Sequence, residues 1–248
     1  MNSKQQTVYG LRPVIEAIDS GAHIERILIQ SGLGGPLLGE LKSRIRAGGL
    51  PFQYVPVEKL NKLTTGNHQG VVATIAAVRY TDFTELMENL SATGKAPLVV
   101  LLDHITDVRN MGAIARTAEC AGVDALVVPD RGSAALNDDA IKTSSGALLR
   151  LPVCREQNLK TVLNTARQYG LQIVAATEKG AVHYRTVDFR QPTLLIMGNE
   201  ERGISPDLLK MSDIRAKLPI VGEVQSLNVS VAAGVMIYEA LEQRQPNS

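Results

Sequence analysis

Residues 194–203 read LLIMGNEERG, an apolar run that ends abruptly in glycine, asparagine and charged residues. A second segment with the same layout lies earlier in the chain, where residues 98–102 (LVVLL) run into polar positions between Asp103 and Arg116. A third segment, residues 218–230 (LPIVGEVQSLNVS), leads directly into the last helical pattern. In open α/β sheets, ligands bind at the carboxyl ends of the strands. The three segments therefore predict one composite site.

Apolar strand patterns alternate with helical patterns from residue 98 onward. Strands are predicted over residues 98–102, 125–128, 172–176, 193–197 and 216–219. Helices are predicted over residues 111–121, 138–144, 159–169, 206–210 and 229–244. This alternation predicts an α/β domain with a parallel sheet that is covered on both faces.

The first part of the chain, residues 1–80, has the pattern of a small α/β unit. Residues 81–97 contain a short helical pattern among Ser, Gly and Pro, and they are interpreted as an interdomain linker. Residues 1–80 hold nine Lys or Arg against five Asp or Glu, whereas the rest of the chain is slightly acidic. A basic first unit favours contact with a polyanion, although ordinary scatter of charge explains the same numbers.

Composition excludes several classes of protein. No apolar run approaches the ~20 residues that span a membrane, and the first residues lack the apolar stretch of a signal peptide. The two cysteines and four histidines are widely spaced, so neither a disulfide framework nor a metal site is expected. These features together favour a reduced, cytoplasmic location.

Three segments carry a family resemblance. Residues 103–118 (DHITDVRNMGAIARTA), 195–203 and 218–230 resemble the three signature motifs of the SpoU/TrmH family, which consists of RNA ribose 2′-O-methyltransferases that use S-adenosylmethionine. The resemblance covers nearly the whole chain. Further similar positions are Val8, Tyr9, Gly10, Ser133, Leu136, Asn137, Lys142 and Gly146.

This resemblance implies a particular fold. It implies that residues 98–248 form a parallel-sheet domain with a deep trefoil knot of the SPOUT type, preceded by a small α/β RNA-binding domain. The residue pattern alone predicts an ordinary doubly wound sheet, because knots are rare among protein topologies. The resemblance also implies a homodimer. Small residues at 231–234 suit a close helix contact with a second subunit or, alternatively, packing within one chain.

The resemblance makes Arg116 the residue that activates the ribose hydroxyl. Arginine is effectively always protonated, so whether Arg116 acts as the base or only positions the hydroxyl stays open. Asn110, Glu200 and Asn228 complete the catalytic set as orienting groups. Alternative roles are a helix N-cap for Asn110 and an ion pair with Arg202 for Glu200.

The resemblance also implies cofactor-binding residues, and the residue types suggest RNA contacts. The alternative roles of these residues are an ordinary strand-end turn, core packing and exposed surface. S-adenosylmethionine is expected at Met197, Gly198, Asn199, Leu218, Ile220, Ser226 and Leu227. RNA contacts are expected at Tyr9, Arg12, Lys42, Arg44, Arg46, His68, Asn137, Lys142 and Arg150. Aromatic residues are scarce, with no Trp and three Phe, which favours phosphate contact over base stacking.

The overall layout most resembles members that methylate a guanosine of large-subunit ribosomal RNA. A transfer-RNA ribose methyltransferase is the close alternative, and a non-catalytic RNA-binding protein of the same fold is the alternative from a different class. Four polar residues of the catalytic type argue against a pure binder. A nucleotide-dependent dehydrogenase is disfavoured, because no G-x-G-x-x-G follows the strand at residues 98–102.

Overall fold

The computed structural model describes residues 7–22, 24–75, 78–223 and 226–245. The chain divides into two compact units, Met1–Arg79 and Tyr80–Ser248. The first contains β1 (Thr7–Tyr9), α1 (Leu11–Asp19), β2 (Ile24–Gln30), α2 (Pro36–Ala47), β3 (Phe52–Val55), α3 (Val57–Asn61) and β4 (Val71–Ile75). Its sheet has the order β1-β4-β2-β3, and β3 pairs with β2 in parallel at one edge.

Two helices cover one face of this first sheet. The alternation along β2 turns Ile27 and Ile29 toward Leu38, Leu41 and other apolar residues of α1 and α2, which form the main core. On the opposite face, a smaller cluster joins the sheet to α3. Phe52 and Tyr54 of the edge strand are exposed.

The second unit is a parallel α/β sheet, as the sequence predicts. Its strands are β5 (Leu98–Asp103), β6 (Ala125–Pro129), β7 (Val153–Glu156), β8 (Gln172–Ala176), β9 (Val182–His183), β10 (Thr193–Gly198) and β11 (Ile214–Lys217). Its helices are α4 (Phe83–Ala92), α5 (Val108–Cys120), α6 (Asp138–Thr143), α7 (Leu159–Gln168), α8 (Pro206–Met211) and α9 (Val229–Arg244).

The strand order of this sheet is β7-β6-β5-β10-β8-β11-β9, and all of its pairings are parallel. Two late strands are inserted between earlier ones: β10 lies between β5 and β8, and β11 lies between β8 and β9. The trefoil knot stays a prediction. This order brings the ends of β8, β10 and β11 together, and these ends carry the site.

Helices lie on both sides of the sheet. Residues of α4, α7 and α8 share one buried cluster with alternate residues of the central strands. The intervening strand residues, such as Val100 and Leu195, are also fully buried. The helices α5 and α9 pack against each other, and α9 contacts β10.

The stretch at residues 81–97 differs from the predicted linker. Residues 83–92 form α4, and Phe83, Leu86 and Met87 are buried in the core of the second unit. These three residues recur at helical spacing, so burying them stabilises the helix against the sheet. The main-chain N–H of Thr81 also donates to Val153 O at the start of β7.

Hydrogen bonds join the end of the last helix to the residues that precede β5 and β10. The half-buried Arg244 donates to the carbonyl oxygens of Ala96 (2.7 Å), Pro97 (3.1 Å), Phe189 (2.7 Å) and Gln191 (3.0 Å). Desolvation lowers the pKa of this guanidinium. Within the described ranges, no helix has the length and hydropathy needed to span a membrane.

Candidate active site

A cavity of about 280 Å³ lies at the carboxyl ends of β8, β10 and β11. Its wall combines main chain at the end of β10 with aliphatic side chains from the segment between β11 and α9. All seven residues predicted to bind the cofactor line it: Met197, Gly198, Asn199, Leu218, Ile220, Ser226 and Leu227. Their role in cofactor binding stays a prediction.

The loop after β10 folds back tightly on itself. Asn199 N donates to Gly203 O (3.1 Å) and Gly203 N donates to Asn199 O (2.8 Å). A Cβ on Gly198 would lie 2.4 Å from main-chain atoms of Gly203 and Ile204. The glycine at 198 is therefore required by this close approach of the loop, which differs from the turn or ligand contact considered from the sequence.

Glu200 is the centre of a polar cluster. Its Oε1 accepts hydrogen bonds from Asn110 Nδ2 (3.1 Å), Asn228 Nδ2 (2.5 Å) and the main-chain N–H of Val229 (3.2 Å). Asn228 Nδ2 also lies 3.0 Å from Asn110 Oδ1. The three motifs thus meet at one carboxylate, whose Oε2 has no hydrogen bond with the residues that the structure describes.

Helix caps fix two members of this cluster. Asp107 caps α5 by accepting from the N–H groups of Arg109 (2.6 Å) and Asn110 (3.1 Å). Asn110 is therefore inside the first turn, and the alternative that it is the N-cap is wrong. Asn228 caps α9 by accepting from the N–H groups of Ser230 (2.9 Å) and Val231 (3.4 Å).

Arg116 lies outside the cluster. It is exposed on α5, and its guanidinium forms no hydrogen bond or ion pair with residues in the described parts of the chain. It follows Asn110 by six residues, which on a helix corresponds to about 240° of rotation and about 9 Å of rise. The structure therefore joins three of the four predicted catalytic residues and leaves the fourth free for a partner outside this chain.

Two groups at the site are not among the predicted cofactor-binding and catalytic residues. Thr177, Glu178 and Lys179 line the cavity where β8 ends, and the change from apolar to polar residues after Ala176 is the signal that identifies them. Asp103 is buried at the end of β5, where its Oδ2 accepts from the N–H and the hydroxyl of Ser205, both at 2.6 Å. This carboxylate fixes the far end of the loop after β10.

Comparison with known proteins places the chain in a family. Residues 97–238 match the family described as the SpoU rRNA methylase family. The chain belongs to this family. Residues 7–81 match a second family, described as the substrate-binding region of RNA 2′-O ribose methyltransferases.

Individual relatives of this SpoU chain agree with the match. A Staphylococcus saprophyticus protein assigned to the TrmH family of tRNA/rRNA methyltransferases is 36% identical over 96% of this chain and 95% of the relative. An AdoMet-bound rRNA methyltransferase from Sinorhizobium meliloti has 27% identity and a TM-score of 0.63, covering 97% of this chain and 88% of that one. A TrmH/SpoU tRNA-modifying enzyme from A. aeolicus has 32% identity and a TM-score of 0.56, covering 65% of this chain and 84% of that one.

Among the predicted RNA contacts of the first unit, the cations of α2 differ from one another. Arg44 is paired with Asp19 (2.7 Å) and Glu40 (3.0 Å), and the bond to Asp19 raises the pKa of Arg44 and lowers that of Asp19. Arg46 is exposed and has no ion pair within the described chain, and Lys42 lies over the ring of Tyr54. Lys42 and Arg46 are therefore better placed than Arg44 to meet a phosphate.

The other predicted RNA contacts of this unit surround residues 61–70. His68 Nδ1 accepts from Gly70 N (2.9 Å) and its Nε2 donates to Asn61 Oδ1 (2.8 Å), so both ring nitrogens are used within the loop. Tyr9 packs against Gly66, where a Cβ would lie 2.5 Å from the ring. Arg12 is exposed at the start of α1.

The three RNA contacts predicted in the second unit differ in their hydrogen bonds and ion pairs. Asn137 caps α6 by accepting from Asp139 N and Ala140 N, both at 3.1 Å. Lys142 is exposed, and Arg150 is paired loosely with Glu119 at 3.8 Å. RNA binding by these three residues stays a prediction. Within the described residues, no group of His, Cys, Asp and Glu is arranged to hold a metal ion.

Proposed function

We propose that this protein transfers a methyl group from S-adenosylmethionine to a ribose 2′-oxygen of structured RNA, on a guanosine of large-subunit ribosomal RNA. The observation that carries this proposal is the position of Glu200. It lines the cavity formed by the predicted cofactor residues and also holds Asn110 and Asn228. This position supports a site in which cofactor and substrate lie side by side.

The cavity suits S-adenosylmethionine. Leu218, Ile220 and Leu227 offer aliphatic surface for an adenine ring, and Ser226 offers a hydroxyl. Thr177 and Glu178 add polar groups at the end of β8, which suit the hydroxyl and amino groups of the cofactor. When bound, the cofactor supplies a methyl group on a sulfonium, so the protein has only to align the acceptor oxygen and remove its proton.

The polar cluster supplies the alignment. Three donors hold Glu200 Oε1, so the carboxylate is fixed before RNA arrives. The remaining oxygen, Oε2, is able to accept a hydrogen bond from a ribose hydroxyl. Asn110 and Asn228 are themselves held by the first turns of α5 and α9, which keeps the cluster rigid.

Arg116 supplies positive charge to the bound ribose and its phosphate. Because arginine stays protonated, it does not remove the hydroxyl proton. It stabilises the developing oxyanion and pairs with a substrate phosphate, while the hydroxyl proton passes to Glu200 Oε2, the oxygen to which the hydroxyl donates. The exposure of Arg116 and its lack of a partner within the described chain support this role.

The protein acts as a homodimer through α9. Val231 (52% exposed), Val235 and Tyr238 (50% exposed) recur at helical spacing and form an apolar stripe on this helix. The stripe begins beside the cavity, because Val229 and Ala232 line the cavity wall. A second subunit on this stripe lies next to the site and completes its rim.

The coverage of the solved relatives favours ribosomal over transfer RNA. The structure named as an rRNA methyltransferase matches 97% of this chain, including the first unit. The structure named as tRNA-modifying matches 65%. Transfer RNA is kept as the second candidate, since the Staphylococcus saprophyticus relative is assigned to a family of tRNA/rRNA methyltransferases.

The test is transfer of tritiated methyl from S-adenosylmethionine to unmodified ribosomal RNA and, separately, unmodified transfer RNA, followed by nucleoside analysis. The proposal expects label in 2′-O-methylguanosine of the large-subunit RNA. Label in transfer RNA alone would make transfer RNA, and not ribosomal RNA, the substrate. Label in a base would overturn the ribose assignment, and cofactor binding without label in either RNA would support a non-catalytic RNA-binding protein.

A further inference from the structure

Two exposed aromatic rings stand side by side on the edge strand of the first unit. Phe52 is 46% exposed and Tyr54 is 45% exposed. Their ring centroids are 5.7 Å apart and their planes are nearly perpendicular. The other two phenylalanines of the chain, Phe83 and Phe189, are buried. An exposed Phe beside an exposed Tyr is the kind of apolar surface that marks a binding site.

The register explains why these rings face outward. Phe52 pairs with Ile27 and Tyr54 with Ile29 across β2 and β3, so all four side chains point to the face that α2 covers. The isoleucines are fully buried, whereas the rings of β3 lie beyond the helix at the sheet edge. The two rings therefore continue the apolar face of the sheet at its edge, where the helix does not cover them.

Positive charge lies beside these two rings. Lys42 Nζ lies 5.4 Å from the centroid of the Tyr54 ring. Arg46 follows Lys42 by one helical turn, is exposed and has no ion pair in the described chain. Glu40 and Arg44 lie on the other side of the helix, where Arg44 bonds to Asp19 of α1. The side of α2 next to the rings thus carries free cations.

We infer that Phe52, Tyr54, Lys42 and Arg46 form a stacking surface for unpaired nucleotides of the RNA substrate. Aromatic rings stack on the faces of unpaired bases, and neighbouring cations neutralise the phosphates between them. A fully paired helix does not present its base faces, so the surface selects a loop or a strand end. This inference rests on the proposed function for the identity of the RNA, and it revises the expectation that base stacking is limited.

The test compares ring-removing with ring-retaining substitutions in the full chain. Binding is measured without S-adenosylmethionine, using oligoadenylate and a blunt RNA duplex of equal length. Phe52→Leu and Tyr54→Leu are each expected to weaken oligoadenylate binding by about ten-fold. The matched controls Phe52→Tyr and Tyr54→Phe are expected to keep the wild-type affinity. Both positions are exposed, so the variants are expected to melt at the wild-type temperature.

Two further measurements separate stacking from charge. The chain has no Trp, so F52W introduces a single tryptophan, whose emission is expected to be quenched by oligoadenylate and not by the duplex. Lys42→Gln is expected to weaken binding of both RNAs and to reduce the salt dependence by about one charge.

Unchanged oligoadenylate affinity in both leucine variants, or an absence of F52W quenching, would overturn the inference. Equal losses in the leucine variants and in their ring-retaining controls would also overturn it. The binding result is distinct from that of the methyl-transfer assay. A wild-type protein that stacks bases but methylates no RNA refutes the proposed function while leaving this surface in place.

Discussion

A single carboxylate oxygen connects the three motifs of the catalytic unit. Glu200 Oε1 accepts from a side chain of α5, a side chain before α9 and the first N–H of α9. Removing such a shared acceptor leaves several donors without a partner at once. Glu200 therefore affects both the stability of the site and the reaction, and the two effects are separable by substitution.

Glu200→Gln is expected to lower methyl transfer by at least about 100-fold with little loss of stability. The amide oxygen still accepts from the three donors, but the amide nitrogen cannot accept from a ribose hydroxyl. Glu200→Ala is expected to lower the free energy of unfolding as well, by about 1–2 kcal/mol. Steady-state kinetics and urea unfolding measure the two effects. Glu242→Gln, an exposed change on α9, is the control, and a fully active Glu200→Gln enzyme would contradict the assignment.

Arg116→Ala is expected to lower turnover by at least about 100-fold. The affinity for S-adenosylmethionine is expected to stay near that of the wild type. The reason is that Arg116 lies outside the cavity lining and outside the Glu200 cluster. Calorimetric cofactor titration and single-turnover methylation are the measurements. Arg190→Ala removes a different exposed arginine of the same unit and is the control. Loss of cofactor affinity alone would refute a catalytic role.

Residue types and spacing predict the members of the site better than their interactions. The seven cofactor candidates line one cavity because they lie at the ends of β10 and β11, the two strands that flank β8 in the sheet. The pairing of Arg44 with Asp19 joins residues 25 positions apart, and no local pattern identifies it. The close approach of Gly198 to Gly203 likewise appears only when the loop is folded.

Among the elements, long helices are predicted with nearly their observed bounds, whereas some short strands are missed. The helix predicted at residues 229–244 is α9 as observed, because Asn228 is a favourable N-cap residue and Pro246 follows the helix. The strands β7 and β9 are missed, because β9 has two residues and only two of the four residues of β7 are apolar. Residues 81–97 are misread as a linker because glycine and proline at their end outweigh the helical pattern of α4.

The strand β7 contains a buried thiol with consequences at alkaline pH. Burial, with a smaller effect from the charges of Glu156 and Asp82, raises the pKa of Cys154 to about 12. In the unfolded chain the thiol ionises near pH ~8.5. Between these values the folded state holds the extra proton, so rising pH favours unfolding by up to ~1.4 kcal/mol per pH unit.

Cys154→Val is therefore expected to lose less stability than the wild type between about pH 8 and about pH 10. Valine keeps a small apolar side chain in the core and has no proton to release. Urea unfolding at both pH values measures the difference, and common titrations of Lys and Tyr cancel in the comparison. Parallel pH dependence of the two proteins would contradict the prediction.

At the scale of the whole molecule, the apolar stripe of α9 is expected to control assembly. Val231→Glu places a charge on a face proposed to be buried between subunits, so it is expected to convert a dimer to a monomer and to reduce methyl transfer. Light scattering during size-exclusion chromatography reports the mass. Glu242→Lys changes charge at an exposed position of the same helix and should leave the mass unaltered. A dimeric Val231→Glu protein would place the interface elsewhere.

The two units are expected to have separate roles, with RNA binding in the first and cofactor binding in the second. A chain that lacks residues 1–79 retains the sheet, the cavity and the Glu200 cluster of the second unit. It is expected to bind S-adenosylmethionine normally but to bind RNA more weakly and with a smaller dependence on salt. Fluorescence anisotropy over a salt series measures this difference. RNA affinity equal to that of the full chain would contradict the role of the first unit.

The bonds from Arg244 to Ala96 and Pro97 also bear on how the protein is made. A ribosome releases the first unit early, and that unit has its own sheet and core. The second unit reaches its final hydrogen bonds only when α9 emerges, because this helix supplies Asn228 to the cluster and Arg244 to the strand starts. During synthesis, the first unit is thus complete before the second unit is able to act.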